Sequence, residues 1–176
     1  MELSADAHVP FERDLVFETY RDRLPDIVEF MPNVRRIDLE TREDKAGGIV
    51  EIVNVWHGGG EIPAAARVVL TDSMLSWTDY ASWDSTTHTC SWRIETHSFK
   101  GAVRCHGSNR FLKSDAGTMI EIRGELVIDA SHIVAVPRFL RKSVGQSVSE
   151  FLVKKIAPNL LEASVGIRRY LERRQK

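Results

Sequence analysis

The sequence has few of the features that mark secreted, membrane or nucleic-acid-binding proteins. Two cysteines in 176 residues are too few for a disulfide-stapled scaffold. No apolar run reaches the ~20 residues of a membrane-spanning helix, and a formal net charge of -1 argues against nucleic-acid binding through bulk electrostatics. Residues Met1 to Asp6 lack the basic region and apolar stretch of a signal peptide, so we expect a cytoplasmic protein.

The motifs of familiar catalytic and metal sites are also missing. The sequence contains no G-x-S-x-G, H-E-x-x-H, C-x-x-C or G-x-x-x-x-G-K segment. Its six histidines lack the paired spacing of metal ligands, and we expect neither a metal nor a cofactor. Cys90 and Cys105 are predicted to be buried thiols, offset too far along adjacent strands to form a disulfide.

The composition, 43% hydrophobic and 28% charged, predicts one folded domain over residues 1–176. Charge is unevenly distributed along it. From Arg138 to Lys176 there are 10 Lys and Arg against 3 Asp and Glu, whereas the preceding residues are acidic overall. Two interpretations remain open: a basic helix lies against an acidic sheet, or the helix is attracted to anionic lipid head groups.

The pattern along the chain predicts a strand, two short helices and a long antiparallel meander. Alternation from Leu3 to Val9 is typical of a half-buried strand. Helical spacing follows from Phe11 to Leu24 and again from Asp26 to Met31, and a proline follows each segment. Residues Asn33 to about Asp129 are predicted to be mainly β. An exception is Gly58 to Leu70, predicted to be a mobile loop and a short helix that gate the interior.

Hairpin register assigns one dry face and one wet face to this meander, because opposed residues share a face of a sheet. A two-residue turn is predicted at Asp84-Ser85, and His88 and Asn109 are placed inward. The three hairpins predict these opposed pairs: Trp77 with Trp92, Ile94 with Cys105, and Phe111 with Ile120.

The C-terminal segment is predicted to be a long amphipathic helix across the dry face. Apolar residues recur every three or four positions from Val144 to Leu171. Pro158 interrupts this pattern and predicts a kink.

This order of elements resembles the START-like superfamily, whose α+β helix-grip fold has a curved antiparallel sheet clasping a long C-terminal helix, with two short helices after the first strand. The segment Val9-Pro10-Phe11-Glu12-Arg13-Asp14-Leu15-Val16-Phe17, with Leu24 to Val34 after it, is similar to the opening of the polyketide cyclase/dehydrase and coenzyme-Q-binding groups. A shorter similarity, over Gly58 to Leu70, is to PRELI-like phospholipid-transfer domains.

The resemblance implies a cavity for an apolar or amphipathic small molecule between the sheet and the C-terminal helix. A completely filled core is the alternative. The residues expected to contact such a ligand are Trp77, Trp83, Trp92, Asn109, Phe111, Ile122, Leu126, Leu152 and Ile156.

Three functions remain open at this point. The first is binding or transport of a lipid or other apolar molecule, without a catalytic residue and with transient contact to an anionic membrane through the basic C-terminal helix. The second is a small cyclase- or dehydratase-type enzyme, for which His88 is the candidate acid or base. The third is an interaction module that uses the sheet edge or the terminal helix and binds no ligand.

Overall fold

A computed structural model of the protein describes residues 1–59, 75–98, 100–129 and 161–175. The strands are β1 Glu2–Val9, β2 Val34–Asp44, β3 Ile49–Gly58, β4 Ser76–Asp84, β5 Thr89–Thr96, β6 Val103–Ser114 and β7 Gly117–Ile128. The helices are α1 Arg13–Asp22, α2 Leu24–Ile27 and α3, residues 161–174, together with 3₁₀ turns at Val28–Phe30 and Ala46–Gly48.

Within the described ranges, the seven strands form one antiparallel sheet in the order β1-β7-β6-β5-β4-β3-β2. Each strand from β2 to β6 pairs with the next along the chain, which is the predicted meander, and β1 pairs with β7. Register shifts on β2 after Val34 and after Leu39 are β-bulges. Bulges bend a strand and increase its twist, so they curve this edge of the sheet.

The two short helices are present with different boundaries from those expected. The first is confined to Arg13–Asp22, and the second segment divides into α2 and the 3₁₀ turn Val28–Phe30. Pro25 does not separate the helices, because it lies in the first turn of α2. A proline is tolerated there since the first backbone N–H groups of a helix have no intrahelical acceptor.

Two of the three predicted hairpin registers are confirmed. Ile94 lies opposite Cys105, and Phe111 lies opposite Ile120. The pairing of Trp77 with Trp92 is wrong, since Trp77 lies opposite Thr96 and Trp92 opposite Ala81.

A longer turn between β4 and β5 causes this error. Residues 85–88 form the turn, and the Asp84 carboxylate accepts hydrogen bonds from the Thr86 backbone N–H at 2.8 Å and the Thr86 hydroxyl at 2.6 Å. An Asp side chain that binds the backbone two residues on stabilises such a turn. The register moves by four residues, an even number, so the dry face keeps its predicted members.

The core lies between this dry face and the helices. One face of α1 contributes Val16, Phe17 and Tyr20. The buried apolar residues of α3 belong to the same core: Ala163, Ile167, Tyr170 and Leu171. Two polar contacts also join α3 to the segment after α2. Arg173 pairs with Glu29 at 2.7 Å, and the Asn33 amide donates a hydrogen bond to Glu162.

Several predictions fall outside the described residues. These are the gating segment beyond Gly59, on which the PRELI-like similarity depends, the kink at Pro158 and the amphipathic pattern from Val144 to Leu160. Among the helices that are described, none is long and apolar enough to cross a membrane.

Candidate ligand-binding site

Aromatic side chains fill one end of the interior, beneath α1. The ring of Phe17 meets Trp83 at 5.3 Å and Phe111 at 5.2 Å between centroids, and Tyr20 meets Trp83 at 5.4 Å. All three contacts are edge-to-face, an arrangement that aromatic quadrupoles favour. Trp83 and Phe111, two of the predicted ligand contacts, are therefore part of a packed cluster here.

The middle of the dry face is closed by the indole of Trp92. This ring covers a pair of opposed glycines, Gly107 on β6 and Gly124 on β7, where a Cβ atom would lie 2.5 Å and 2.9 Å from the indole. Its Nε1–H donates a 2.9 Å hydrogen bond to Oδ1 of Asn109, which is 4% exposed. The predicted polar contact Asn109 thus already has a protein partner, and the predicted apolar contact Ile122 is buried on β7.

The residues that the structure describes do not completely cover the other end of the dry face. We call it the open end and define it by four inward-facing residues that are half-buried: Trp77, Asp79, Ile94 and Ile128. Trp77 stacks on Trp56 of β3, with ring centroids 5.8 Å apart and planes at 19°. Leu126, another predicted contact, is fully buried two residues before Ile128.

Asp79 is the polar residue at the centre of the open end. It lies directly opposite Asn54 on β3 and opposite Ile94 on β5. The Asn54 side chain is buried, with 3% exposure. Burial raises the pKa of its carboxyl from 3.8 to about 7, an effect that the nearby Trp56 indole partly offsets. Near neutral pH the carboxyl is therefore a group that can either donate or accept a proton.

Two buried polar atoms beside Asp79 lack hydrogen-bond partners within the part of the chain that the structure describes. They are Nε1 of Trp56 and Oγ1 of Thr96, and both residues are 8% exposed. Both occupy dry-face positions diagonal to Asp79. The Trp56 N–H approaches the Asp79 carboxyl without meeting hydrogen-bond geometry. Buried polar groups normally have partners, so this place suits a ligand that supplies them.

Three other ionisable groups among the described interior residues are weak acids. Burial raises the pKa of the thiols of Cys90 and Cys105, the latter to about 12, and the Asp79 charge raises both further. The same two effects raise the pKa of Tyr20. Both cysteines are free. These groups stay neutral at physiological pH, and Asp79 is the one among them that titrates near it.

His88 is held at the rim of the filled end. It adopts a positive φ of 53° in the turn before β5, and its ring packs on Phe17 at 5.2 Å. Its Nε2 lies 3.0 Å from Oδ1 of Asp14 on α1. These contacts tie the turn to α1 and leave His88 away from the open end.

Sequence reasoning missed Asp79 and Asn54, although a signal for both was present. Each alternates with inward-facing residues, Asp79 between Trp77 and Ala81, and Asn54 between Ile52 and Trp56. Both are polar members of an otherwise mainly apolar alternation. The remaining predicted contacts, Leu152 and Ile156, lie outside the described residues.

The described segments contain no group of three His, Cys, Asp or Glu side chains placed to hold a metal ion. No protein-family model matches the sequence, and no curated protein matches it.

Solved structures match it over nearly its whole length. The Zhui aromatase/cyclase from Streptomyces sp. R1128 is 16% identical with a TM-score of 0.66, and the match covers 100% of this chain and 96% of that one. For TTHA0849 from Thermus thermophilus the identity is 17%, the TM-score 0.61 and the coverage 95% and 97%. Major latex-like protein 151 from Panax ginseng is 12% identical with a TM-score of 0.56, over 97% and 96% of the two chains. The chain therefore has the helix-grip α+β fold, as its order of elements predicted.

Proposed function

We propose that this protein binds an apolar or amphipathic small molecule between its sheet and its C-terminal helix, as a carrier or sensor. The observation that carries the proposal is the contrast between the two ends of the dry face. Rings from α1 fill one end, whereas Trp77, Asp79 and Ile94 at the open end remain half-buried. A mainly apolar concavity with a few convergent polar groups is the usual form of a small-molecule site.

Native mass spectrometry of protein purified from its own host tests this function directly. We expect a bound lipid-like molecule, and we expect the emptied protein to bind a neutral apolar dye such as Nile red. Ile94→Phe should fill the open end and weaken dye binding. Ser91→Phe, on the exposed wet face of the same strand, is the matched control and should leave binding unchanged. A protein that carries no molecule and binds no dye would refute the function.

A second candidate function is acid–base catalysis at the open end. Asp79, with its pKa raised to about 7, favours it, because a general acid or base works best near the operating pH. The reaction class we propose for it is cyclisation with loss of water, which the sequence resemblance to the polyketide cyclase/dehydrase group implies. Incubation with a poly-β-ketone substrate should then give a product lighter by one water. Asp79→Asn should abolish that product, and His88→Asn should not.

Transient contact with an anionic membrane remains part of the proposal. Of the basic residues in the C-terminal segment, the structure describes Arg168, Arg169, Arg173 and Arg174. Arg168 pairs with Glu172 at 2.8 Å and Arg173 with Glu29 at 2.7 Å, and exposed pairs of this kind leave much of each charge available to solvent. Co-sedimentation should therefore be stronger with anionic than with neutral vesicles and should fall at high salt. Equal retention on both would contradict the contact.

A further inference from the structure

We propose that the ligand carries an ammonium group, which binds at Asp79 beside the stacked pair of Trp56 and Trp77. This inference rests on the proposed function and adds the chemical class of the ligand. It starts from the residues around the carboxyl. On the dry face Asp79 is bordered by apolar side chains and by polar or aromatic ones, and none of these neighbours is basic. They are Ile52, Asn54, Trp56, Trp77, Ala81, Trp92, Ile94 and Thr96.

The charge that this surrounding favours is positive. The Asp79 charge raises the pKa of three nearby groups, and each of them is an acid: Tyr20 of α1, Cys90 of β5 and Cys105 of β6. A carboxylate or phosphate head group would add negative charge to a carboxyl that has no described cation beside it. An ammonium group would instead supply the opposite charge, whose attraction is strong where water is scarce.

The Asp79 carboxyl can be neutral when the site is empty and charged when an ammonium group is bound. Burial holds the free carboxyl largely uncharged below about pH 7, which avoids an unpaired buried charge. An alkylammonium has a pKa near that of Lys, about 10.4, and stays protonated at this pH. Its approach lowers the Asp79 pKa, the carboxyl releases its proton to solvent, and a charge-assisted hydrogen bond replaces the neutral group.

The two unpartnered atoms complete the match. The Thr96 hydroxyl oxygen can accept a second ammonium N–H, and the Trp56 indole N–H can donate to the newly formed carboxylate. The aromatic rings of Trp56 and Trp77 provide a surface that attracts cations and also accommodates the adjoining methylene groups. An alcohol could form only one of these polar interactions, and a carboxylate could form few of them.

Three probes of equal chain length separate these possibilities: dodecylamine, dodecanol and dodecanoate, each below its micellar concentration. Isothermal titration at pH 8 should show the amine binding about 10- to 100-fold more tightly than the alcohol, because a charge-assisted hydrogen bond contributes that much, and the carboxylate binding most weakly. Between pH 8 and pH 5 the amine should lose affinity as protons compete for Asp79, whereas the alcohol should not.

Two variants test whether the preference for the amine depends on Asp79. Asp79→Asn should reduce the amine to the affinity of the alcohol, and Asp115→Asn, the same change in an exposed turn, should preserve the preference. Equal binding of amine and alcohol by the unaltered protein would overturn the ammonium proposal and leave the proposed function intact. Tightest binding of dodecanoate, or a preference that survives Asp79→Asn, would also overturn it. Failure of all three probes to bind would refute the proposed function itself.

Discussion

Replacing Asp79 with Asn should stabilise the protein, and the gain should grow with pH. The carboxyl has a pKa of 3.8 when exposed and about 7 in the folded chain. Below both values it is protonated in the folded and unfolded states and costs nothing. As pH rises from about 4 to 7, the unfolded chain ionises freely while the folded chain does not, so stability is lost across that window and stays lost above it.

The size of this loss follows from the shift. Each pKa unit corresponds to about 1.4 kcal/mol, so the full shift sets an upper limit of about 4 kcal/mol at pH 8. Asp79 is half-buried rather than sealed from water, and solvent screening reduces the expected gain in Asp79→Asn to about 1–3 kcal/mol. Near pH 4 the gain should almost disappear, because both states of the parent protein then hold the proton.

Urea denaturation of both proteins at pH 4 and pH 8, without ligand, measures this difference. Asp115→Asn is the matched control, because it makes the same substitution in the exposed turn between β6 and β7 and should change the unfolding free energy by less than about 0.5 kcal/mol at either pH. A stability gain in Asp79→Asn that is equal at the two pH values would refute the reasoning. A loss of stability at pH 8 would refute it more directly.

Three further predictions concern the middle of the dry face. Gly107→Ala places a methyl group against the backbone carbonyl oxygen of Arg123 and 2.5 Å from the Trp92 ring, and urea denaturation should show a loss of about 1–3 kcal/mol from overpacking. Trp92→Phe removes the indole N–H and leaves Oδ1 of Asn109 buried without this donor, so a loss of about 1–3 kcal/mol is expected beyond that from the smaller ring. The thiols of Cys90 and Cys105, buried and with raised pKa, should react with an aromatic disulfide reagent only as fast as the protein opens.

Each of these has a control and a contrary result. Ser108→Ala changes the next residue of β6, which faces the wet side, and should be nearly neutral. If Gly107→Ala is equally neutral, the indole does not cover that glycine. The double variant Trp92→Phe/Asn109→Leu should lose less stability than the sum of the losses in the two single variants. If the two losses simply add, the hydrogen bond between Trp92 and Asn109 does not contribute to stability. Rapid thiol labelling of the native protein would show that the cysteines are accessible.

Much of the fold followed from local patterns in the sequence. Alternation placed Ile94, Cys105, Phe111 and Ile120 on the dry face, because side chains on a strand point to opposite sides in turn. That rule depends on residue order alone. The assignment of residues to the dry face was therefore correct even though the turn after Asp84 is longer than predicted. The same alternation already put Asp79 among the inward residues.

Only the tertiary structure determines which interior residues pack into the core, which border the open end, and how the pKa of Asp79 is shifted. Trp77 lies opposite Thr96 rather than Trp92 because a side-chain hydrogen bond at Asp84 stabilises a longer turn than the sequence pattern predicted. Trp77 stacks on Trp56 because the register between β3 and β4 places the two residues opposite each other. Trp83 is packed core and Trp77 borders the open end because the rings of α1 reach one end of the sheet, a contact between segments distant in sequence. The raised pKa of Asp79 has the same origin, since desolvation depends on all the segments folded around a group and not on its own strand alone.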